Sequence, residues 1–164
     1  MNGTVTLIGS KIEDFEDYYN LKCGRSEIYW IGFAGKPDKE KLRACFRKRL
    51  GDNDFGNTDD KRVYMIKVAG RNVGTVLLTL DEEGVEFAIS ILEEEQGKGY
   101  GTEAIRLAIP IAKQYSNVCH TEIRDDNYAS QKALTRAGFR RTDEFYMKEF
   151  PGAGLVGYRK YYCD

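Results

Sequence analysis

Residues 96–101 read Gln96-Gly97-Lys98-Gly99-Tyr100-Gly101, with three glycines in five residues. They follow an alternating apolar segment, which predicts a strand. They precede Thr102 to Tyr115, which is apolar around most of its circumference and predicts a buried helix. Glycine permits tight turns and close approach of the backbone to a ligand. Because the first N–H groups of a helix lack partners within it, this loop is suited to bind a pyrophosphate, and Lys98 adds positive charge.

Two other interpretations of this loop stay open on the residues alone. A strand-to-helix turn can need glycines for its shape and bind nothing. The segment Gly99 to Ala104 also matches the dinucleotide fingerprint G-x-G-x-x-A, and Asp125 and Asp126 follow roughly 20 residues later. Tight turns between the preceding strands favour antiparallel pairs, however, and a dinucleotide-binding domain needs a doubly wound sheet.

Upstream of the loop, apolar residues alternate in four segments that predict strands. These segments are Thr4 to Ile8, Val63 to Val68, Val73 to Leu80 and Val85 to Ile91. Ser10 and Glu13 have the spacing of a capping box and predict the start of a helix. Pro37 predicts the start of a second helix. The aromatic segment Ser26 to Lys36 between them fits neither period and is predicted to be irregular.

Downstream of the loop, the pattern predicts one more helix and three more strands. Their ranges are Val118 to Arg124 (strand), Asn127 to Ala137 (helix), Phe139 to Phe150 and Leu155 to Tyr162 (strands). The element order is therefore β-α-α-β-β-β-α-β-α-β-β. It predicts a single α/β (α+β) domain over residues 1–164, with about seven mostly antiparallel strands flanked by about four helices.

The composition is that of an ordinary globular protein, with 41% hydrophobic and 31% charged residues among 164. A net charge of -1 gives no argument for nucleic acid or an anionic membrane as partner. The four cysteines form no CxxC pair and His120 is the single histidine, so we expect no metal site. No run reaches membrane-spanning length and no export signal opens the sequence. We therefore expect a cytoplasmic protein, either a monomer or a homodimer.

Two motifs resemble those of the GNAT superfamily of N-acetyltransferases. The loop matches the signature Q/R-x-x-G-x-G/A, and Asn127-Tyr128-Ala129-Ser130 followed by Ala137-Gly138-Phe139 looks like the second motif, N-x-x-S and a later G-F. The element order is also similar to the GNAT fold. Glu86, the loop and Thr102-Glu103-Ala104 together look most like the RimJ/RimL branch, which acetylates protein N-termini.

The resemblance implies that acetyl-CoA, as co-substrate, lies between the fourth and fifth strands. The residues it assigns to acetyl-CoA are Ser90, Ile91, Gln96, Gly97, Lys98, Gly99, Tyr100, Gly101, Thr102, Asn127 and Ser130. The acetyl group would pass to a primary amine, of a protein N-terminus or a small molecule, by direct attack in a ternary complex. Many relatives carry a tyrosine as general acid where this chain has Leu134. In the RimJ/RimL branch, which also lacks this tyrosine, the resemblance suggests Ser130 as the substitute, whereas its alternative role is to cap or brace its helix. A catalytically silent acyl-CoA-binding module is the other alternative.

The attacking amine must be neutral, so a group must accept its proton. Glu86 is our candidate for this base, because strand alternation places it on one face with the small residues Ala88 and Ser90. A solvated carboxylate without a role is the alternative, and His120 is a second candidate. Tyr29 and Trp30 are candidates for the acceptor pocket, although loop aromatics form a small satellite core equally often.

Overall fold

A computed structural model describes residues 3–164 as a seven-stranded sheet with helices on both faces. Along the chain the elements are β1 (Val5–Gly9), α1 (Phe15–Lys22), α2 (Arg25–Ile31), α3 (Lys39–Arg47), β2 (Lys61–Val68), β3 (Arg71–Leu80), β4 (Val85–Ile91), α4 (Tyr100–Ala112), β5 (Cys119–Arg124), α5 (Tyr128–Ala137), β6 (Arg140–Phe150) and β7 (Gly154–Cys163). Short 3-10 helices lie at Ile12–Asp14 and Glu93–Glu95. Within residues 3–164, no helix is long and apolar enough to cross a membrane.

The strand order is β1-β2-β3-β4-β5-β7-β6, and only the β4–β5 pair is parallel. Tight hairpins make β2, β3 and β4 antiparallel, whereas the passage from β4 to β5 runs through α4, as a parallel connection requires. This sheet confirms the predicted mixed α/β class with seven mostly antiparallel strands. It does not have the doubly wound topology that the dinucleotide interpretation of the glycine loop required.

Each face of the sheet carries its own hydrophobic core. The larger core packs the sheet against α4 and α5 and includes Val76, Phe87 and Ile105. The smaller core packs β2 against α1 and α3 through Phe15, Phe46 and their neighbours. Strand alternation explains the division, since adjacent residues of a strand point to opposite faces. On the second face, α1 and α3 cover β2 and β3, and α2 crosses the far ends of β4 and β5. The rest of that face stays accessible from β4 outward.

The segment predicted to be irregular contains helix α2, which raises the number of α-helices from the predicted four or so to five. Gly24 precedes α2 and Gly32 ends it with a φ of 80°. A helix of seven residues is marginal by its own propensity, and tertiary contacts usually hold such a helix. The aromatic residues of α2 pack against a distant arginine, described below, and this explains why their local pattern showed no helical period.

Three predicted helix starts also differ from the structure. Ser10 does not cap a helix: Asp14, rather than Glu13, accepts a hydrogen bond from the Lys11 N–H at 2.9 Å. Helix α3 begins two residues after Pro37, where the Asp38 side chain accepts from the Lys41 N–H. Helix α4 begins at Tyr100, two residues before the predicted start.

Candidate active site

The seam between β4 and β5 opens after two residues. Their register includes only Val85 with Cys119 and Glu86 with His120. One further contact follows, in which the Thr121 hydroxyl donates to the Phe87 carbonyl at 2.7 Å. Beyond that point no strand pairing joins them, so the upper half of β4 borders a gap in the sheet.

Backbone groups of β4 line this gap on one side. The Val85 N–H donates to the Val118 carbonyl on the β5 side, and alternation along the strand directs the backbone of Ile89 and Ile91 the same way. The Ser90 backbone faces β3 instead, since a Cβ added at Gly74 of β3 would lie 2.2 Å from the Ser90 carbonyl oxygen. The gap therefore presents the amides of Ile89 and Ile91 to a bound molecule.

The glycine loop lies at the open end of this gap. Gly97 and Gly99 have φ values of 77° and 85°, in the left-handed region that favours glycine. A Cβ at either position would have no atom within 4 Å. Glycine is therefore required here by the left-handed backbone and not by a lack of space. The volume beside both residues is open. The first intrahelical bond of α4 runs from the Glu103 N–H to the Gly99 carbonyl, so the N–H groups of residues 100–102 have no partner within the helix.

The acidic run before the loop is largely neutralised by basic partners. Glu95 is buried and contacts both Arg71 and Lys98 at 2.9 Å, and these two hydrogen bonds hold its carboxyl pKa below the ordinary value. Glu93 pairs with Arg25 at 2.6 Å. Because Glu93 and Glu95 are paired with cations, they do not oppose an anionic ligand at the loop, where the helix N-terminus supplies the attraction.

Gln96 fixes the loop to two other elements. Its side-chain amide donates to the Ile91 carbonyl at 3.0 Å and to the Ser26 hydroxyl at 3.2 Å. The first loop residue of the motif therefore joins the end of β4 to the start of α2. These bonds hold the glycine loop in a constant position relative to the gap.

The start of α5 provides the other wall of the gap. The Asn127 side-chain oxygen accepts from the Ser130 N–H at 3.2 Å and caps the helix, which leaves the amide NH₂ of Asn127 available. The Ser130 hydroxyl has no hydrogen-bond partner among the described residues. Leu134, at the position where many relatives have a tyrosine, is 2% exposed and belongs to the larger core. Ser130 is thus the hydroxyl residue that the second motif supplies on this wall.

Glu86 lies at the foot of the gap, half-buried and directly opposite His120. Its carboxylate makes neither a hydrogen bond nor an ion pair with the described residues. Burial raises the Glu86 pKa above its ordinary value, and the neighbouring His120 partly opposes that shift. A carboxylate whose pKa is moved toward neutrality is a better proton acceptor for an amine.

His120 is buried, and its Nε2 lies 2.9 Å from the Asp81 carboxylate. A carboxylate partner favours a proton on Nε2 and leaves the lone pair on Nδ1. Nδ1 is buried and has no hydrogen-bond partner among the described residues. The second candidate base thus sits beside the first, one strand away.

Tyr29 and Trp30 lie at the other end of the same face, around Arg124. The Arg124 guanidinium is 5.0 Å from the Tyr29 ring centre and 5.1 Å from that of Trp30, and it donates to the Tyr29 carbonyl. Arg124 follows His120 by four residues, or roughly 13 Å of strand. The structure therefore separates the aromatic pair from Glu86, and the two groups lie at opposite ends of the same face.

Helix α2 crosses the open end of the gap and is tied to both of its sides. Glu27 accepts a hydrogen bond from the Ser90 hydroxyl of β4 at 2.8 Å, and Lys22 lies 2.7 Å from the same carboxylate. On the β5 side, Arg124 provides the tie just described. Sequence reasoning missed Arg124 and Glu27, because their ties to Tyr29 and Ser90 span 95 and 63 residues and leave no local pattern.

Comparison with known proteins identifies the family of this chain. The family model described as the acetyltransferase (GNAT) domain matches residues 4–140. No curated protein matches the chain. Among residues 3–164, no group of three or more His, Cys, Asp or Glu side chains is arranged to hold a metal ion.

Solved structures share the fold at low sequence identity. The spermidine N-acetyltransferase of Vibrio cholerae, in complex with CoA and spermine, is 20% identical with a TM-score of 0.80, over 96% of this chain and 94% of that one. The aminoglycoside acetyltransferase AAC(6')-Ib, in complex with coenzyme A and kanamycin, is 15% identical with a TM-score of 0.70, again over 96% and 94%. At these identities the two structures are evidence for the fold of this chain.

Proposed function

Because the chain belongs to the GNAT acetyltransferase family, we propose that it transfers the acetyl group of acetyl-CoA to a primary amine. The observation that carries the proposal is the gap between β4 and β5, which opens toward a glycine loop at the N-terminus of α4. A strand edge with free amides suits the amide-rich pantetheine arm, and the helix N-terminus suits the pyrophosphate. Solved relatives of this fold hold CoA.

Each part of the site has a role in this proposal. The pyrophosphate lies on residues 96–102, and the pantetheine arm bonds the β4 backbone at Ile89 and Ile91, next to Ser90. The Asn127 amide contacts the cofactor from α5. The acceptor lies on the face that carries Glu86, with Tyr29 and Trp30 at its far end.

Attack of the neutral amine on the thioester carbon forms the C–N bond and an oxyanion. Glu86 takes the amine proton, directly or through water, and a β4 amide stabilises the oxyanion. Collapse then breaks the C–S bond, and Ser130 or water protonates the departing thiolate. Every step occurs in one ternary complex.

Cys119, which lies in the closed part of the β4–β5 seam, does not suit a covalent acetyl-enzyme. Burial raises the pKa of the Cys119 thiol to about 11, with a smaller contribution from Cys163. A thiol with that pKa stays protonated near neutral pH and is a poor nucleophile.

The assay is release of free CoA from acetyl-CoA in the presence of a panel of primary amines. Turnover with any amine supports the acetyltransferase function. Tight acetyl-CoA binding without turnover supports the alternative, a catalytically silent acyl-CoA-binding module, which the replacement of the usual tyrosine by Leu134 suggested. The panel includes a peptide N-terminus, since the RimJ/RimL-like motifs make that acceptor a prediction of the sequence.

Two glycine variants test the cofactor site. Gly99→Ala places a side chain at a φ of 85°, and Gly70→Ala does the same at 76° in the β2–β3 turn; neither Cβ would meet an atom within 4 Å. Both should therefore lose a similar stability, roughly 1–2 kcal/mol. Only Gly99→Ala should weaken acetyl-CoA binding, by about tenfold in calorimetry, because the loop must shift to relieve the strain. Equal acetyl-CoA affinities in the two variants would contradict a pyrophosphate site at the loop.

A further inference from the structure

The face of the sheet beyond Glu86 is formed by β5 and its partner β7. Directly paired residues of neighbouring strands point to the same face. The paired side chains that share the Glu86 face are His120 with Tyr162, Glu122 with Lys160, and Arg124 with Tyr158. This acceptor face therefore contains carboxylates and cations in close proximity, and the pairing among them decides which charges a substrate meets.

Glu122 is already neutralised from β6. The Lys148 ammonium lies 3.1 Å from the Glu122 carboxylate, and the Tyr146 hydroxyl donates to the same oxygen. The ammonium is also 5.1 Å from the Tyr146 ring centre and 5.2 Å from that of Tyr158. With one carboxylate and two aromatic rings around it, Lys148 is held where a second substrate ammonium would otherwise bind.

Glu83 and Glu144 are paired as well, and they share one cation. Glu83 lies 2.6 Å from the Lys160 ammonium and accepts from the Tyr162 hydroxyl at 2.8 Å. These hydrogen bonds hold the Glu83 pKa below its ordinary value, and the same contact raises the Lys160 pKa. Glu144, at the rim, lies 3.7 Å from Lys160.

At the upper end of the face, two further carboxylates have cationic partners. Glu27 pairs with Lys22, and their side chains are only 10% and 16% exposed. Asp126 accepts from the Arg124 guanidinium at 3.1 Å through both of its oxygens. Displacing either pair would leave a buried cation without its partner, which is strongly unfavourable.

Glu86 differs from these carboxylates, because it is half-buried and has neither a cation nor a hydrogen-bond donor among the described residues. Asp143 also has no such partner, but it is exposed at the rim beside Glu144. Asp81, its neighbour across the turn, is bonded to His120 and to the N–H groups of Glu83 and Gly84. The face therefore offers one half-buried, unpaired carboxylate for one ammonium. Ala88 beside it is exposed, and the same face carries aromatic rings farther away, Tyr29 being 55% exposed and Tyr146 stacked on Tyr158.

We propose that the acceptor is a primary amine with a single ammonium group on an uncharged, apolar or aromatic body, and that polyamines are poor substrates. This inference rests on the proposed acetyltransferase function. The same chemistry occurs in a free monoamine and at the N-terminus of an uncharged peptide, so the experiment contains both.

The test compares kcat/KM for phenethylamine, for the dipeptide amide Ala-Phe-NH₂ and for spermidine, with acetyl-CoA held constant. We expect at least one of the first two to exceed spermidine by tenfold or more, and the better of them identifies the source of the amine. A preference for spermidine would overturn this inference and leave the acetyltransferase function intact. No turnover with any of the three or with a wider amine panel would overturn both.

A charge-removal variant tests the reason for the preference. Lys148→Met frees Glu122, and the ratio of spermidine to phenethylamine kcat/KM should rise by about tenfold. Lys41→Met removes the same charge from the exposed side of α3 and should leave that ratio unchanged. A ratio that is equal in the two variants would show that the ion pair between Glu122 and Lys148 does not set the specificity.

Discussion

Strand β4 has two edges that behave differently. Its β3 edge keeps register over seven pairs, from Gly74 with Ile91 to Leu80 with Val85, whereas its β5 edge keeps only two. Buried backbone N–H and C=O groups need partners, so an edge left open within a sheet is an incomplete structure unless a ligand or water completes it. The paired edge holds β4 in place, and for that reason the open edge can present its amides in a constant geometry.

The largest expected effect on activity is at Glu86, the last residue of β4 that is paired on both edges. Glu86 is paired in register on both sides, with Thr79 and with His120, and it stands at the foot of the open seam. If it is the base, Glu86→Gln should lower the acetylation rate at pH 7 by about 10²–10⁴-fold, measured as CoA release. The loss should shrink at high pH, where the amine deprotonates without help. Glu13→Gln, on an exposed carboxylate, is the control, and a wild-type rate in Glu86→Gln would exclude this role.

The same variant should lose activity but gain thermal stability at pH 7. Burial raises the Glu86 pKa in the folded state, so the folded protein binds this proton more tightly than the unfolded chain does. The stability contributed by this group is therefore present at low pH and lost as pH rises through the raised pKa. Glu86→Gln should accordingly raise the Tm at pH 7, and the difference from wild type should narrow as the pH is lowered. A fall in Tm at pH 7 would indicate a structural role for the carboxylate.

The paired edge can be broken at Gly74. A Cβ at this position would lie 2.2 Å from the Ser90 carbonyl oxygen, so Gly74→Ala must separate β3 from β4 locally. Crowding of this kind costs about 1–3 kcal/mol, and the Tm should fall by several degrees. Gly56→Ala, whose Cβ would meet nothing within 4 Å, should change the Tm little. If Gly74→Ala is as stable as Gly56→Ala, the close approach of the two strands is not a constraint.

Much of this arrangement could be predicted from the sequence, and the successes share a cause. The alternation of Val85, Phe87 and Ile89 indicates which face of the strand is buried, and the glycines indicate an unusual backbone conformation. Both signals depend only on residues that are close in the sequence. The predicted sheet class is therefore confirmed, and a turn with left-handed Gly97 and Gly99 lies where the loop was predicted. Binding of a pyrophosphate to that loop stays a prediction. The assignment of Glu86 as base and of Ser130 as general acid stays a prediction.

The failures involve contacts between distant residues. Helix α2 depends on Arg124, which lies 95 residues from the Tyr29 carbonyl that it binds. Residues 26–36 therefore show no helical period by themselves. The pairing of Glu122 with Lys148 depends on the β5-β7-β6 order, which the sequence pattern does not specify.

The smallest expected effect concerns the last tie across the open seam. The Thr121 hydroxyl donates to the Phe87 carbonyl at 2.7 Å, and Thr121 is only 3% exposed. Thr121→Val keeps the branched shape and removes this bond, which should cost about 1–2 kcal/mol in urea denaturation. Thr79→Val is the matched control on the paired seam, since that buried hydroxyl has only a 3.4 Å contact with Lys61, and it should cost less than about 0.5 kcal/mol. Because two register pairs remain below Thr121, acetyl-CoA affinity should fall by less than about tenfold. Equal costs in the two variants would show that the seam opens at its second pair and that the hydroxyl does not help to define the gap.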